Sequence, residues 1–226
     1  MKYIKSNILS NIPSVTHGFI YLENSLNIND FSEKMGLEKI KTIKQIHSNE
    51  IVHLNDVNKY ENSYEADAIV SDLKGYGVGV YTADCVPIII IDTYNGYFGV
   101  IHAGWKGTLS GITEKVSDYL ISELDCKSEN IKAAIGPCIE GRCYEIGEEI
   151  ADQFEARFKN SNFYLTRKEG TKYNLDLRKA NIKQLNNKGI TSVEIVDICT
   201  KCDLNYPSYR RDGKNAGRML SFIGFI

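Results

Sequence analysis

Apolar residues in this chain fall in short runs separated by turn formers, not in long periodic stretches. Residues 18–22, 51–54, 68–71 and 77–82 carry β-branched or aromatic side chains between Gly, Asn, Asp and Ser, a pattern that predicts short strands. Residues 86–91 and 97–102 are more apolar and predict buried central strands. Asn95-Gly96 lies between them, and both residue types tolerate positive φ, so the two strands are expected to pair as an antiparallel hairpin. Helical spacing is clear in two places. Ser110 can cap a helix to Leu124 with Ile112, Val116, Leu120 and Leu124 on one face. Asn174 or Asp176 can cap another, with Ala180, Ile182 and Leu185 inward and Gly189 as its stop. A third helix is expected over 145–158, with strands at 131–135 and 192–196. The fold class is mixed α/β with antiparallel and parallel pairing.

At 226 residues the length lies between one and two domains, and no linker, charge block or internal repeat divides it. The expectation is one domain over 1–226, with a looser, Asn-rich subregion at 23–66. A composition of 42% hydrophobic and 25% charged residues excludes a disordered or fibrous chain. The net charge of −2 gives no basic footprint for nucleic acid or anionic lipid. The longest aliphatic run, 86–91, is far short of the roughly 20 residues of a membrane helix. The N-terminal lysines are followed by no apolar signal region, so the reading is a cytoplasmic protein without a disulfide framework, despite six cysteines.

Three segments look chemical: Gln45-Ile46-His47-Ser48, Thr82-Ala83-Asp84-Cys85-Val86-Pro87, and His102-Ala103-Gly104-Trp105-Lys106-Gly107-Thr108. Closing the hairpin at 94–96 brings residues 86 and 102 together and so places Cys85 close to His102. Such a pair can ligate a borderline-soft metal. It can also form a thiolate–imidazolium nucleophile, or be a buried thiol beside a hydrogen-bonded histidine. The Gly-Trp-Lys-Gly turn adds glycines that admit a ligand to the backbone, a flat wall in Trp105 and a cation in Lys106.

TADCVPI, HAGWKGT, GPCI followed by CYEIG, and DICTKCDLNYPSYRRDGKNAGRM closely resemble the laccase-domain family. Its members were named multicopper polyphenol oxidoreductases and are now regarded as purine nucleoside phosphorylases with adenosine deaminase activity. The resemblance runs from Thr16-His17-Gly18-Phe19 to the C-terminus. It implies a sandwich of mixed β-sheets with flanking helices, related to the catalytic domain of cytotoxic necrotizing factor. It also implies one zinc held by His47 of the QxH motif, Cys85 of ADC and His102 of HAGW. His17 and Asn27 match family segments near the substrate pocket. The stretch 20–34 is shorter than in the family and lacks its arginine, and Lys106 replaces an arginine.

Three ligands with an open fourth position is the catalytic zinc pattern. Copper is the alternative metal, but four histidines (His17, His47, His53, His102) are few for a multicopper enzyme. On this reading Lys106 and Arg210 hold an anion, Trp105 and Tyr209 wall the base or sugar, and Thr200 faces the ligand. Asp84, Asp67 and Glu145 are acid candidates, Asp84 being preferred as proton carrier. Ser208, Arg210, Arg211 and Arg218 form a polar, basic end to an otherwise slightly acidic chain. Cys199-Thr200-Lys201-Cys202 lacks a second CxxC and is read as a loop, with Cys138 and Cys143 as buried or structural thiols. The expected partners are a nucleoside and phosphate, with no nucleic acid or membrane, in a monomer or weak homo-oligomer. Three rival readings are a cysteine hydrolase or deamidase using Cys85 and His102, a copper-dependent polyphenol oxidase, and a non-enzymatic partner-binding module with a vestigial pocket.

Overall fold

Every residue of the strand Val86–Asp92 is buried, and this strand is the axis of the fold. The computed structural model describes residues 3–21, 27–59, 64–158 and 161–226. In the six-stranded sheet the spatial order is Ser192–Ile195, Ile131–Ile135, Val86–Asp92, Phe98–Ala103, Ala68–Ser71, Ile51–Leu54. The outer pairs are parallel and the central pairs antiparallel. A five-stranded sheet runs Tyr3–Ile4, Val15–Tyr21, Met219–Phe225, Tyr76–Thr82, Lys39–Thr42. A small third sheet joins Glu145–Gly147, Lys172–Leu175 and Leu165–Arg167.

The near-continuous apolar run at 86–91 is explained by burial on both faces. Ile89 and Ile91 pack with Val100, Phe19, Val78, Val80 and Ile223 between the two large sheets. Ile88 and Ile90 point the other way, onto Ile112, Val116, Leu120, Phe154, Ala180 and Leu185 of the helical layer. The outer face of the five-stranded sheet is covered by Phe31 and Leu37 over Ile20, Ile40, Leu220 and Phe222. The architecture is therefore a mixed α/β sandwich with flanking helices. Among the described residues no helix is long and apolar enough to cross a membrane.

The hairpin forms as expected, but its register is one residue away from the one anticipated. Val86 lies opposite Ala103, and Pro87 opposite His102. Since side chains alternate between faces, this register puts Cys85, Pro87 and His102 on one face, whereas the anticipated one would have separated Cys85 from His102. The helix predicted from Ser110 instead starts at Trp105. It breaks at Gly111, whose φ of 81° lies in the left-handed region, resumes over Ile112–Asp118 and ends in a wider turn, Tyr119–Glu123. Asp176 caps Leu177–Asn187 through the Lys179 amide, and Gly189 stops it with a φ of 77°. Residues 145–147 are a strand rather than the first turn of a helix, which occupies Glu148–Arg157. Among the described residues of the Asn-rich stretch, Lys39–Thr42 and Ile51–Leu54 are strands of the two large sheets rather than part of a peripheral subregion. Leu22 of the first predicted strand, and Ser25 and Leu26 beside Asn27, lie outside the described residues.

Candidate metal centre

Two loops, carrying QxH and ADC, and the end of the strand Phe98–Ala103, carrying HAGW, bring the three segments together at one end of the sandwich. Gln45 brackets the backbone of Tyr81, accepting from its amide at 2.8 Å and donating to its carbonyl at 2.7 Å. This anchors the turn that carries His47, whose φ of 60° is left-handed. Asp84, also left-handed with a φ of 81°, turns the chain between strands so that Cys85 projects toward His102. Strain of this kind persists only where surrounding contacts impose it. The ligand atoms of His47, Cys85 and His102 lie within 4.8 Å of one another. The two imidazole rings meet edge to face, with centroids 4.8 Å apart. Gly104 is required by this approach: a Cβ there would lie 3.0 Å from Cys85 Sγ and 3.2 Å from His47 Cδ2.

Asp67 organises the centre from behind. Its carboxylate accepts from His102 Nδ1 at 2.7 Å, from the amides of Ile46, His47 and Ser48 at 3.2, 3.0 and 2.6 Å, and from Ser48 Oγ at 2.8 Å. Burial opposes ionisation of this carboxyl, but hydrogen bonds from His102 and Ser48 hold it down at about 2. With Nδ1 given to Asp67, Nε2 is the ring nitrogen left for a metal, the arrangement that fixes the tautomer of a ligating histidine. Burial likewise works against charge on Cys85 and His102. Their mutual hydrogen bond and charges, with His47 beside the thiol and Asp67 beside the imidazole, bring Cys85 down to about 6 and lift His102 to about 9.

The centre opens into a cavity of about 690 Å³. His47, Cys85, His102, Asp84, Trp105, Tyr209 and Arg210 line it, as do Gln45, Tyr81, Thr82, Ala83, Tyr144 and Arg218. Arg210 is held by its amide to Asp84 Oδ2 at 2.6 Å and by Nη1 to the Glu145 carbonyl at 3.0 Å, with its guanidinium over the Tyr144 ring at 4.9 Å. The other Asp84 oxygen accepts from Thr200 Oγ1 at 2.7 Å.

Several residues singled out in the sequence lie elsewhere. Lys106 is exposed and does not line the cavity; its ammonium sits over Trp105, because one residue along the helix turns the side chain by about 100°. Arg218 occupies the wall instead. Thr200 is buried behind Asp84 rather than facing the cavity. His17 is buried within its strand and takes the Ser6 amide on Nε2 at 3.0 Å. Asn27 caps the helix Ile28–Lys34 through the Asn29 amide. Glu145 pairs with Lys168 and Lys172. Tyr144 was missed although it stands inside the CYEIG motif, and Gln45 although it opens QxH.

Residues 24–226 match the family described as multi-copper polyphenol oxidoreductase laccase, and the chain belongs to that family. A purine nucleoside phosphorylase of Clostridium acetobutylicum is 35% identical over 89% of this chain and 83% of its own length. An adenosine deaminase from an unknown prokaryotic organism is 36% identical over 74% of this chain and 66% of its own length. Among solved structures, the hypothetical protein YfiH of Bacillus licheniformis superposes with a TM-score of 0.85 at 26% identity, covering 96% of this chain and 95% of that one.

Proposed function

We propose that this chain is a zinc-dependent purine nucleoside phosphorylase that also deaminates adenosine. The observation that carries the reading is the convergence of His47, Cys85 and His102 on the wall of a cavity that also presents aromatic rings and two arginines. The N₂S donor set suits zinc, which His47, Cys85 and His102 would hold, and three protein ligands would leave one coordination position free, as in catalytic sites. Zinc held there supplies Lewis acidity to the reacting centre. Copper is the weaker alternative: among the described residues the other candidate cluster is all thiol, with no histidines to build a multinuclear centre.

The chain's own residues divide the remaining work. Trp105, Tyr144 and Tyr209 offer flat faces to a purine or ribose. Arg210 and Arg218 hold phosphate, the first pre-positioned by Asp84, Glu145 and Tyr144. Asp84 is the carboxylate on the described wall and is the proposed proton carrier for the departing base. Asp67 keeps the His102 tautomer fixed throughout. Purified protein should carry about one zinc at this centre and, given adenosine or inosine with phosphate, release free base and ribose 1-phosphate, with some inosine from adenosine. Zinc-loaded protein that leaves nucleosides untouched would overturn the proposal.

One observation favours a second reading, a cysteine hydrolase or deamidase. A thiol brought down to about 6 beside an imidazole is a competent nucleophile. The two readings part at His47, which a thiol dyad does not need. His47→Ala should disable a zinc enzyme as severely as His102→Ala. Near-normal activity of that variant, with a covalent adduct on Cys85, would favour the dyad.

A further inference from the structure

Outside the cavity lining, three thiols converge that the proposed chemistry does not use. Cys143 closes the short turn Gly141–Cys143, and Cys199 and Cys202 bound the CxxC loop. Their Sγ atoms lie within 4.8 Å of one another, with Cys143 and Cys202 at 3.2 Å. None of the three lines the cavity. The segments that carry them are fixed before any ligand arrives. Cys138 and Cys199 form a parallel bridge, the Thr200 amide donates to Cys138 O at 3.0 Å, and the Cys138 amide donates to Ile198 O at 3.2 Å. The loop then folds tightly on itself, with the amides of Cys202 and Asp203 donating to Cys199 O at 3.1 and 2.9 Å.

The first sulfur of the CxxC loop also meets a backbone donor. The Glu140 amide donates to Cys199 Sγ at 3.5 Å. A backbone N–H turned onto the first sulfur of a CxxC loop compensates part of the negative charge a metal thiolate retains. Cys199 is buried, Cys143 half-buried and Cys202 exposed, so the cluster opens to solvent on one side and is closed by protein on the other.

We propose that Cys143, Cys199 and Cys202 form a second metal site, for one zinc ion bound by three thiolates with a fourth position open to solvent. Binding releases the thiol protons to solvent, and no oxidant is involved. Three soft ligands converging within one small volume suit a thiophilic d¹⁰ ion, which would spread the Cys143 and Cys202 sulfurs slightly from their present separation. The ion would staple the 138–143 segment to the 199–202 loop. Tyr144 follows the first segment directly, while Thr200 in the second holds Asp84, so the staple stiffens the two stretches that place Arg210.

The test uses the full chain, reduced and stripped of metal, titrated with Zn(II) alone and with Cd(II) as an absorbing probe. Cys85→Ala removes the sulfur of the pocket site and isolates the cluster. In that background about one equivalent should bind, with thiolate-to-cadmium charge-transfer absorption, and a further Cys202→Ser should abolish both. In the unsubstituted protein, zinc should slow alkylation of Cys143, Cys199 and Cys202, mapped by mass spectrometry, which guards against a variant that fails to fold. Because the cluster is read with Cys85 absent, loss of the pocket zinc and loss of this one are separate results. Absence of bound metal and of charge-transfer absorption in Cys85→Ala would overturn the proposal. So would a Cys143–Cys202 disulfide that forms in preference to metal binding when zinc and a small disulfide oxidant are supplied together.

Discussion

Replacing Asp67 by Asn tests the centre at the residue on which most of its hydrogen bonds converge. The carboxylate takes five hydrogen bonds, from His102, Ser48 Oγ and three consecutive amides. All five partners are donors, so an amide of the same shape must turn its NH₂ against some of them. If the carbonyl stays on His102, the NH₂ meets the Ser48 and Ile46 amides; if it flips, the His102 tautomer is no longer fixed. A hydrogen bond to a charged group contributes about 1.5–3 kcal/mol, and an unsatisfied buried donor costs about 1–3 kcal/mol. Loss of the carboxylate behind a ligating histidine typically weakens metal binding about 10–100-fold, or roughly 1.4–2.8 kcal/mol, in line with one such bond. Asp67→Asn should therefore weaken zinc binding by about that factor and lower the melting temperature of the metal-free protein by roughly 5–10 °C. Zinc affinity is read by competition with a chromophoric chelator, and stability by calorimetry after chelation. Ser48→Ala, which removes a single donor from Oδ2, is the control and should lie much nearer the unsubstituted protein. Unchanged zinc affinity and unchanged melting in Asp67→Asn would refute the idea that this carboxylate holds the two histidines together.

Gly104→Ala should weaken metal binding, since its Cβ would crowd Cys85 Sγ and His47, whereas Gly96→Ala meets nothing within 4 Å and should cost only the roughly 1–2 kcal/mol of a left-handed backbone. Zinc titration of both variants separates the two effects. Arg210→Ala should raise the KM for phosphate more than it lowers kcat, read by initial rates at varied phosphate; an unchanged KM would remove Arg210 from anion binding. Burial, the largest influence on His17, holds its imidazole at about 4, below the ordinary 6.5. The unfolded chain therefore takes up this proton first, so the contribution is complete above about pH 6.5 and is lost toward pH 4, by up to roughly 3 kcal/mol. Urea midpoints across that range should show the slope, and His17→Gln should flatten it.

The local pattern of this sequence carried its own burial. A strand buried on both faces needs apolar residues at every position, and 86–91 has them; a helix start needs an acceptor for free amides, and Asp176 supplies one. His47, Cys85 and His102 could be singled out as candidates because each stands in a short motif of turn-forming and chemical residues. What the pattern could not contain was the phase between elements. The one-residue register of the hairpin decides whether Cys85 and His102 share a face, and it depends on how the turn at 92–97 closes, not on the strands. Trp105 and Lys106 are equally suggestive neighbours on paper, yet helical rotation sends one to the cavity and the other to solvent, while Arg218 arrives from the far end of the chain. Asp67 carries no motif at all; its importance arises because three segments fold their donors onto it. The same holds for Cys143 and Cys202, 59 residues apart in sequence and 3.2 Å apart in space. Periodicity is a property of neighbouring residues and survives in the sequence, whereas convergence is set by loop closures and sheet packing over tens of residues, which only the folded chain fixes.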